Sequence, residues 1–251
     1  MGLPSLLGVF AHPDDETLAA GGLLARHAAD GARTAVVTAT WATGTHRAAE
    51  LAGALRLLGA GTPRLLGFAD ARVPESSPGP RLLDVPLGVA VGSLVAHIRE
   101  FRPEVVVTHD AHGSSGHPDH VRTHRVTVLA AQAAGSGGSY PEAGPPWRPR
   151  AVYLATHPES ASAALADLLA GVGKRLHTVP DAHVTTAVDV RPWAGRKWAA
   201  ILAHRSEARR ARSLPALLSG LPAPAREGLL GTEWFTRHAE RGGPRGSAVA
   251  D

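Results

Sequence analysis

Short apolar runs alternate along the chain with stretches that have the apolar spacing of an amphipathic helix. The first four runs lie at residues 6–10, 34–38, 64–66 and 105–108, and the helical patterns that follow them lie at 17–29, 46–58, 89–101 and 121–134. Such alternation is typical of α/β folds, in which helices on both faces cover a mostly parallel sheet. The sequence therefore predicts an α/β fold of this kind.

The pattern continues in the second half of the chain after an interruption. Residues 135–149 are rich in Gly and Pro and indicate a long, mobile loop. Beyond this loop we predict strands at 151–155 and 185–190, a helix at 161–169, and a helix with Pro192 in its first turn that runs towards His204. We find no internal repeat.

Length and composition limit both the number of domains and the kind of site. A chain of 251 residues with 44% hydrophobic content can bury one sizeable core, and we expect a single domain over residues 1–240. Residues 241–251 lack apolar periodicity, which predicts a disordered tail. The chain contains no cysteine, which excludes a zinc–thiolate site, a disulfide framework and a thiol nucleophile. Imidazole and carboxylate groups are left as metal ligands.

The sequence favours a cytoplasmic protein with no membrane or nucleic-acid partner. The apolar start lacks a basic n-region, and no stretch approaches the roughly 20 apolar residues of a membrane span. The net charge is +4, and the densest basic run contains Arg205, Arg209, Arg210 and Arg212. Because no aromatic residues are interleaved with these arginines, we interpret the run as a solvated helix face.

Two clusters of histidine and aspartate follow predicted strands. His12-Pro13-Asp14-Asp15 comes after the first strand, and His117-Pro118-Asp119-His120 comes after the fourth. Ligands of open α/β sheets bind at the carboxyl ends of the strands, so both clusters are predicted to lie at one edge. Either aspartate of the first cluster could also be an ordinary helix N-cap. Two such clusters at the same edge favour a metal-dependent hydrolytic site.

The pair of motifs AHPDDE, at residues 11–16, and GHPDH, at 116–120, resembles the LmbE-like, or PIG-L, family. These proteins are zinc-dependent N-deacetylases that act largely on N-acetylglucosamine conjugates and related amides. Weaker similarities support this assignment, namely Arg47 with Glu50, the loop 67–70, and the Lys…His-x-Ser pattern within 197–207. The resemblance implies a Rossmann-like fold and a hydrolase acting on amide C–N bonds.

Carried over by motif, the resemblance implies that His12, Asp15 and His120 bind one Zn²⁺ per chain. Two imidazoles and one carboxylate leave positions open for water and substrate, which is the pattern of catalytic rather than structural zinc. The same ligand types would also accept Fe²⁺ or another divalent ion.

The remaining motif positions have implied roles beside the metal. Asp14 matches the general base, which takes a proton from water that the metal activates. His117 matches the residue that stabilises the oxyanion or protonates the leaving amine, and Asp119 is expected to fix its tautomer. Three further positions are implied to bind substrate, namely Arg47, Asp70 and His204. A salt-bridge role for Arg47 and Asp70, a helix cap for Asp119 and a packing role for His204 are the alternatives.

Two positions depart from the family pattern. Ser115 stands where some members that cleave sugar–inositol conjugates have a tyrosine, and Glu207 stands where glutamine is usual. The connection at residues 38–45 also lacks the acidic Gly-Glu loop of many relatives. The hydrolytic set is therefore intact, while the positions that face the substrate match no single subgroup.

Three hypotheses for function follow. The first is a zinc-dependent deacetylase whose partner is a small-molecule N-acetylated sugar conjugate. The second is a metal-binding relative with an altered or lost reaction, for example in a biosynthetic pathway, and Ser115 and Glu207 motivate it. The third is a non-haem iron oxygenase, because two histidines and one carboxylate also describe that metal triad. The sequence leaves the aglycone and the state of homo-oligomerisation open.

Overall fold

A seven-stranded mixed sheet forms the centre of the computed structural model, which describes residues 2–238. Its strands are β1 (Leu6–Phe10), β2 (Thr34–Thr40), β3 (Arg64–Phe68), β4 (Val105–His109), β5 (Ala151–Thr156), β6 (Thr186–Asp189) and β7 (Thr232–Arg237). They lie in the order β3-β2-β1-β4-β5-β7-β6. The first five strands in this order are mutually parallel, and β7 is antiparallel to both β5 and β6.

Helices cover both faces of the sheet. They are α1 (Asp15–Ala29), α2 (His46–Leu58), α3 (Leu87–Phe101), α4 (Gly113–Gly116), α5 (Pro118–Ala134), α6 (Ala163–Ala170), α7 (Ala194–Ala203), α8 (Arg205–Ala208), α9 (Leu214–Ser219) and α10 (Ala223–Leu230). Side chains of β1 point alternately to the two faces, so Leu6 and Phe10 pack with α1, α2 and α7, while Leu7 and Val9 pack with α3 and α5. This two-sided burial explains why β1 is a continuous apolar run.

The predicted α/β fold with a mostly parallel sheet is confirmed. The bounds of β1 and α2 coincide with the predicted segments 6–10 and 46–58, and the other predicted strands and helices differ by a few residues at their ends. Three elements near the end of the described chain were not predicted, namely β7, α9 and α10. The predicted tail at 241–251 lies outside the described residues. No helix within residues 2–238 is long and apolar enough to cross a membrane.

The loop predicted to be mobile, at residues 135–149, is held in place by Arg99. The Arg99 guanidinium is buried and donates hydrogen bonds to backbone carbonyls at the start and in the middle of the loop region. Its acceptors are the carbonyl oxygens of Ala133, Ala134, Ser136, Ser139, Tyr140 and Gly144. One long-range side chain thus satisfies several backbone carbonyls between residues 133 and 144, a contact that the composition of the loop does not reveal.

Helix α1 is interrupted at Ala20, whose φ of −148° and ψ of 18° are not helical. The interruption frees two backbone amides, of Gly22 and Leu23, which donate to the Glu233 carboxylate at 2.8 and 2.9 Å. Lys197 Nζ pairs with the same carboxylate at 2.7 Å, and both side chains are almost completely buried. This ion pair anchors the distal part of α1 to β7 and α7.

Candidate metal centre

The two histidine–aspartate clusters meet at the carboxyl edge of the sheet. The first cluster follows β1, and the second follows β4, which pairs with β1 in parallel. Helices α1 and α5 then begin at Asp15 and Pro118, so the strand-to-helix turns bring both clusters to one place. Parallel pairing of neighbouring strands is thus what converts two distant motifs into one site.

The three predicted ligands are direct neighbours of one another. His12 Nδ1 lies 3.2 Å from His120 Nε2. Asp15 presents Oδ2 at 3.3 Å from His12 Nδ1 and Oδ1 at 3.3 Å from His120 Nε2. Zinc binds imidazole nitrogen at about 2.0–2.1 Å, so two donors in a tetrahedral shell are about 3.3 Å apart. The donor types and their spacing fit a divalent ion.

The surroundings of these ligands are rich in further donors. Within residues 2–238, three overlapping groups bring their potential ligand atoms within 4.8 Å of one another: His12, His117 and His120; His12, Asp70, His117 and Asp119; and Asp15, His109 and His120. Asp119 Oδ1 is buried and has no hydrogen-bond partner. The chemistry and the charge of this donor set therefore suit a cation.

Two buried carboxylates orient His12 from behind. His12 Nε2 lies 3.1 Å from Asp119 Oδ2 and 3.3 Å from Asp70 Oδ2, which leaves Nδ1 directed at Asp15 and His120. Carboxylates behind a ligating histidine commonly set its tautomer and raise its basicity. Burial opposes a charge on His12, but Asp119 and Asp15 outweigh it and raise its pKa to about 10. The carboxylates around His12 therefore stabilise a positive charge in the pocket, and a bound metal ion would supply such a charge.

His109 is a member of the site that the sequence analysis did not single out. It is the last residue of β4, its ring stacks on His120 with 4.1 Å between centroids, and its Nε2 lies 3.5 Å from Asp15 Oδ2. The same nitrogen accepts a hydrogen bond from the backbone amide of Ala11. The sequence contained one signal for this role, because His109 directly follows the apolar run 105–108 and so lies at the carboxyl end of its strand. His109 supports the packing of His120 and lies within reach of the site.

Asp14 has an unusual backbone and an arginine partner. Its φ of 132° is in a region that non-glycine residues rarely adopt, and its side chain makes no helix-capping hydrogen bond. Instead, Asp14 Oδ1 accepts a hydrogen bond from Arg47 Nη2 at 2.6 Å. Burial, reinforced by the charges of Asp15 and Glu207 against that of Arg47, raises the pKa of Asp14 to about 7. A carboxyl with such a pKa suits proton transfer at neutral pH.

His117 is neutral and presents a single donor. Its Nδ1 accepts a hydrogen bond from the backbone amide of Asp119, so the ring proton belongs on Nε2. Burial and the charges of His12 and Arg72 lower the pKa of His117 to about 4. We predicted that the Asp119 carboxylate fixes this tautomer. The structure corrects that assignment, because Asp119 Oδ2 is 4.0 Å from His117 Nδ1 and bonds to His12 instead.

The three positions predicted to bind substrate have partners inside the protein. Arg47 contacts Asp14 and the carbonyl of Pro13, and it pairs with Glu207 at 3.3 Å. Asp70 faces His12. His204 is completely buried, with Nε2 2.7 Å from Glu16 Oε1. For His204 in particular, burial corrects the expected substrate contact, since its bonded ring nitrogen faces a carboxylate of α1.

The positions that depart from the family pattern also have defined surroundings. Ser115 is exposed, beside Ser114, whose φ is +58°. Glu207 is buried and contacts both Arg47 and Arg210 at 3.3 Å. Arg47 therefore forms ion pairs with two carboxylates, those of Asp14 and Glu207.

The sequence of this chain is similar to a known protein family and to individual proteins. The profile of the PIG-L family, described as GlcNAc-PI de-N-acetylase, matches residues 7–131. A 1D-myo-inositol 2-acetamido-2-deoxy-alpha-D-glucopyranoside deacetylase of Rhodococcus jostii is 41% identical over 237 residues, which cover 80% of this chain and 81% of that protein.

Solved structures share the fold. The N,N'-diacetylchitobiose deacetylase of Pyrococcus horikoshii has a TM-score of 0.66 at 18% identity and covers 94% of this chain and 84% of its own. The 4-carboxy-2-hydroxymuconate hydratase of Pseudomonas putida has a TM-score of 0.62 at 18% identity, with coverage of 98% and 100%. These two names describe different reactions, so the fold alone does not select the chemistry.

Proposed function

The chain belongs to the PIG-L family, and on this premise we propose that it is a zinc-dependent hydrolase that removes the acetyl group of an N-acetylglucosamine-type conjugate. The observation that carries the proposal is the convergence of His12 Nδ1, His120 Nε2 and the Asp15 carboxylate at 3.2–3.3 Å, directly beside Asp14. A ligand set of two imidazoles and one carboxylate leaves coordination positions open for reactants.

His12, Asp15 and His120 would hold the ion. Bound there, a zinc ion supplies a Lewis acid for the amide carbonyl and lowers the pKa of water. Asp70 and Asp119 keep His12 in the orientation that directs Nδ1 at the site.

Asp14 is the group that moves a proton. In the hydrolysis, water adds to the acetamide carbonyl carbon and gives a proton to an Asp14 carboxylate oxygen. When the C–N bond breaks, this proton passes to the sugar nitrogen, so acetate and a free amine are released. Arg47 holds one Asp14 oxygen at 2.6 Å and thereby limits the directions in which the carboxylate can point.

His117 is the hydrogen-bond donor to the carbonyl oxygen. Its neutral Nε2–H suits an oxygen that gains negative charge in the transition state, because donors already in place require no rearrangement. The low pKa of His117 means that it donates a hydrogen bond without holding a full charge.

Metal analysis and acetate release from the purified full chain test this function. We expect about one zinc per chain and acetate release from N-acetylglucosaminyl-inositol or a related N-acetylated sugar conjugate. The panel should include N,N'-diacetylchitobiose and a simple N-acetyl sugar. Metal binding without acetate release from any substrate would reject the proposed reaction, and oxygen consumption by an iron-loaded chain would favour an oxygenase.

A second candidate function is a metal-binding relative with an altered reaction. The Glu207–Arg47 pair and the exposed Ser115 favour it, because both differ from the family pattern beside the site. If Glu207→Gln creates or strongly increases acetate release, the native chain acts on another substrate.

A further inference from the structure

The peptide of Asp14 is held by groups at the start of α1, which include the buried acid Glu16 and the backbone amides of Thr17 and Leu18. With φ at 132° and ψ at −30°, Asp14 is outside the conformations that an L-residue adopts without strain. Its amide donates to Glu16 Oε2 at 2.9 Å. Its carbonyl accepts from Thr17 Oγ1 at 2.8 Å. Strained conformations persist where the surroundings over-determine them.

The other oxygen of Glu16 is held by a residue far along the chain. Glu16 Oε1 lies 2.7 Å from His204 Nε2, and the exposed fraction of each side chain is 0%. Among the described residues, neither belongs to a group that could bind a metal ion. Buried charge of this kind is kept only with good partners. Neither metal binding nor contact with solvent therefore explains why Glu16 and His204 are paired in the interior.

The segment 204–207 holds Asp14 from two directions. His204 supports Glu16, which binds the Asp14 amide, while Glu207 pairs with Arg47, which binds the Asp14 carboxylate. Ser206 fixes this segment on α2, because its amide and hydroxyl both donate to the Glu50 carboxylate. The backbone and the side chain of Asp14 are thus held by separate contacts from one segment.

From this geometry we propose that Glu16 and His204 are positioning residues, which maintain the strained peptide of Asp14 so that its carboxylate faces the reacting water. The inference rests on the proposed function, in which Asp14 is the base. Burial opposes a charge on His204, whereas the Glu16 and Asp14 carboxylates raise its pKa, in agreement with a firmly held pair. A small displacement of a reacting group can cost about 10²-fold in rate.

The test replaces His204 by leucine and by glutamine. Leucine cannot donate to Glu16, so kcat should fall about 10²-fold while the metal content and KM stay near wild type. Glutamine retains an N–H donor and should recover much of the lost kcat. Glu16→Gln should show an intermediate loss.

Glu233→Gln is the matched control. Glu233 is also a buried carboxylate that accepts from two amides of α1 and pairs with a cation, but it does not touch Asp14. Its substitution should lower stability and leave kcat near wild type. An equal loss of kcat in Glu233→Gln and His204→Leu would overturn the proposal.

Crystal structures provide a readout that does not depend on activity. In His204→Leu, the φ of Asp14 should leave the positive region, whereas in Glu233→Gln it should stay there. An unchanged Asp14 peptide in His204→Leu, or wild-type kcat in that variant, would reject the positioning role. If wild type releases no acetate from any substrate, the proposed function fails, and the crystal structures still decide whether the pair holds the Asp14 peptide.

Discussion

His12 Nδ1 lies 3.2 Å from His120 Nε2, although 108 positions separate the two residues in the chain. Replacing His120 by alanine removes one of two imidazole donors, and we expect metal binding and acetate release to be lost together. The matched control is His112→Ala, because His112 is exposed and lies outside the groups that could bind a metal within residues 2–238. Full metal occupancy in His120→Ala, measured by elemental analysis, would contradict the ligand assignment.

Asp14→Asn separates proton transfer from metal binding. The amide keeps the shape of the side chain and its contact with Arg47 but is a poor base. We expect the metal content to be unchanged and kcat to fall about 10²–10⁴-fold, the usual contribution of a positioned proton-transfer group. Loss of the metal in this variant would make Asp14 a ligand, and wild-type kcat would remove it from the mechanism.

His117→Ala removes the neutral donor at the edge of the site. The loss of one preorganised oxyanion donor costs about 10²–10³-fold in kcat, and we expect at least that effect with the zinc retained. His117 also belongs to two of the groups that could bind a metal, so zinc content is the deciding measurement. A variant without zinc would show that His117 is a ligand. Ser115→Tyr, at an exposed position, should be neutral or mildly activating.

The stability of the protein should depend on pH through His27. Its Nδ1 lies 2.9 Å from the Pro4 carbonyl oxygen, while its Nε2 is buried without a partner. Burial lowers the pKa of His27 below its ordinary value of 6.5. The unfolded chain then binds the proton more readily than the folded one, so the stabilisation is complete above pH 6.5 and is lost as the pH falls below it.

Chemical denaturation at pH 7.5 and 5.5 measures this contribution. Between these values wild type should lose more free energy of unfolding than His27→Gln does, by up to about 1.4 kcal/mol per pH unit. His183→Gln is the control, because His183 is exposed and should leave the pH dependence unchanged. Equal slopes for wild type and His27→Gln would refute the assignment.

Arg99→Met should release the loop at residues 135–149. The substitution leaves several loop carbonyls without their donor, and we expect a loss of about 3 kcal/mol or more in the free energy of unfolding. Limited proteolysis should cut this loop in the variant and spare it in wild type. Arg125→Met, on the exposed face of α5, should change stability by less than about 0.5 kcal/mol.

Much of the fold was predictable because its signals are local. The apolar runs and helical spacings predicted β1 and α2 to the residue, and parallel topology implied that strand ends share one edge. Strand β7 was missed, since only Trp234 and Phe235 are large apolar residues in it and its place between β5 and β6 depends on long-range pairing. Such pairing has no local periodicity.

The sequence by itself determined that the two histidine–aspartate motifs cluster at the site, because His12 and His120 each follow a strand that ends at the same edge. Only the tertiary structure decided which partner each polar group has. Asp119 bonds to His12 rather than to His117, and His204 is buried against Glu16, which is 188 positions away. The reason is physical: a hydrogen bond forms only within a few tenths of an ångström of its ideal length. Distances between residues so far apart in the chain are set by the packing of the sheet and helices, which no local pattern encodes.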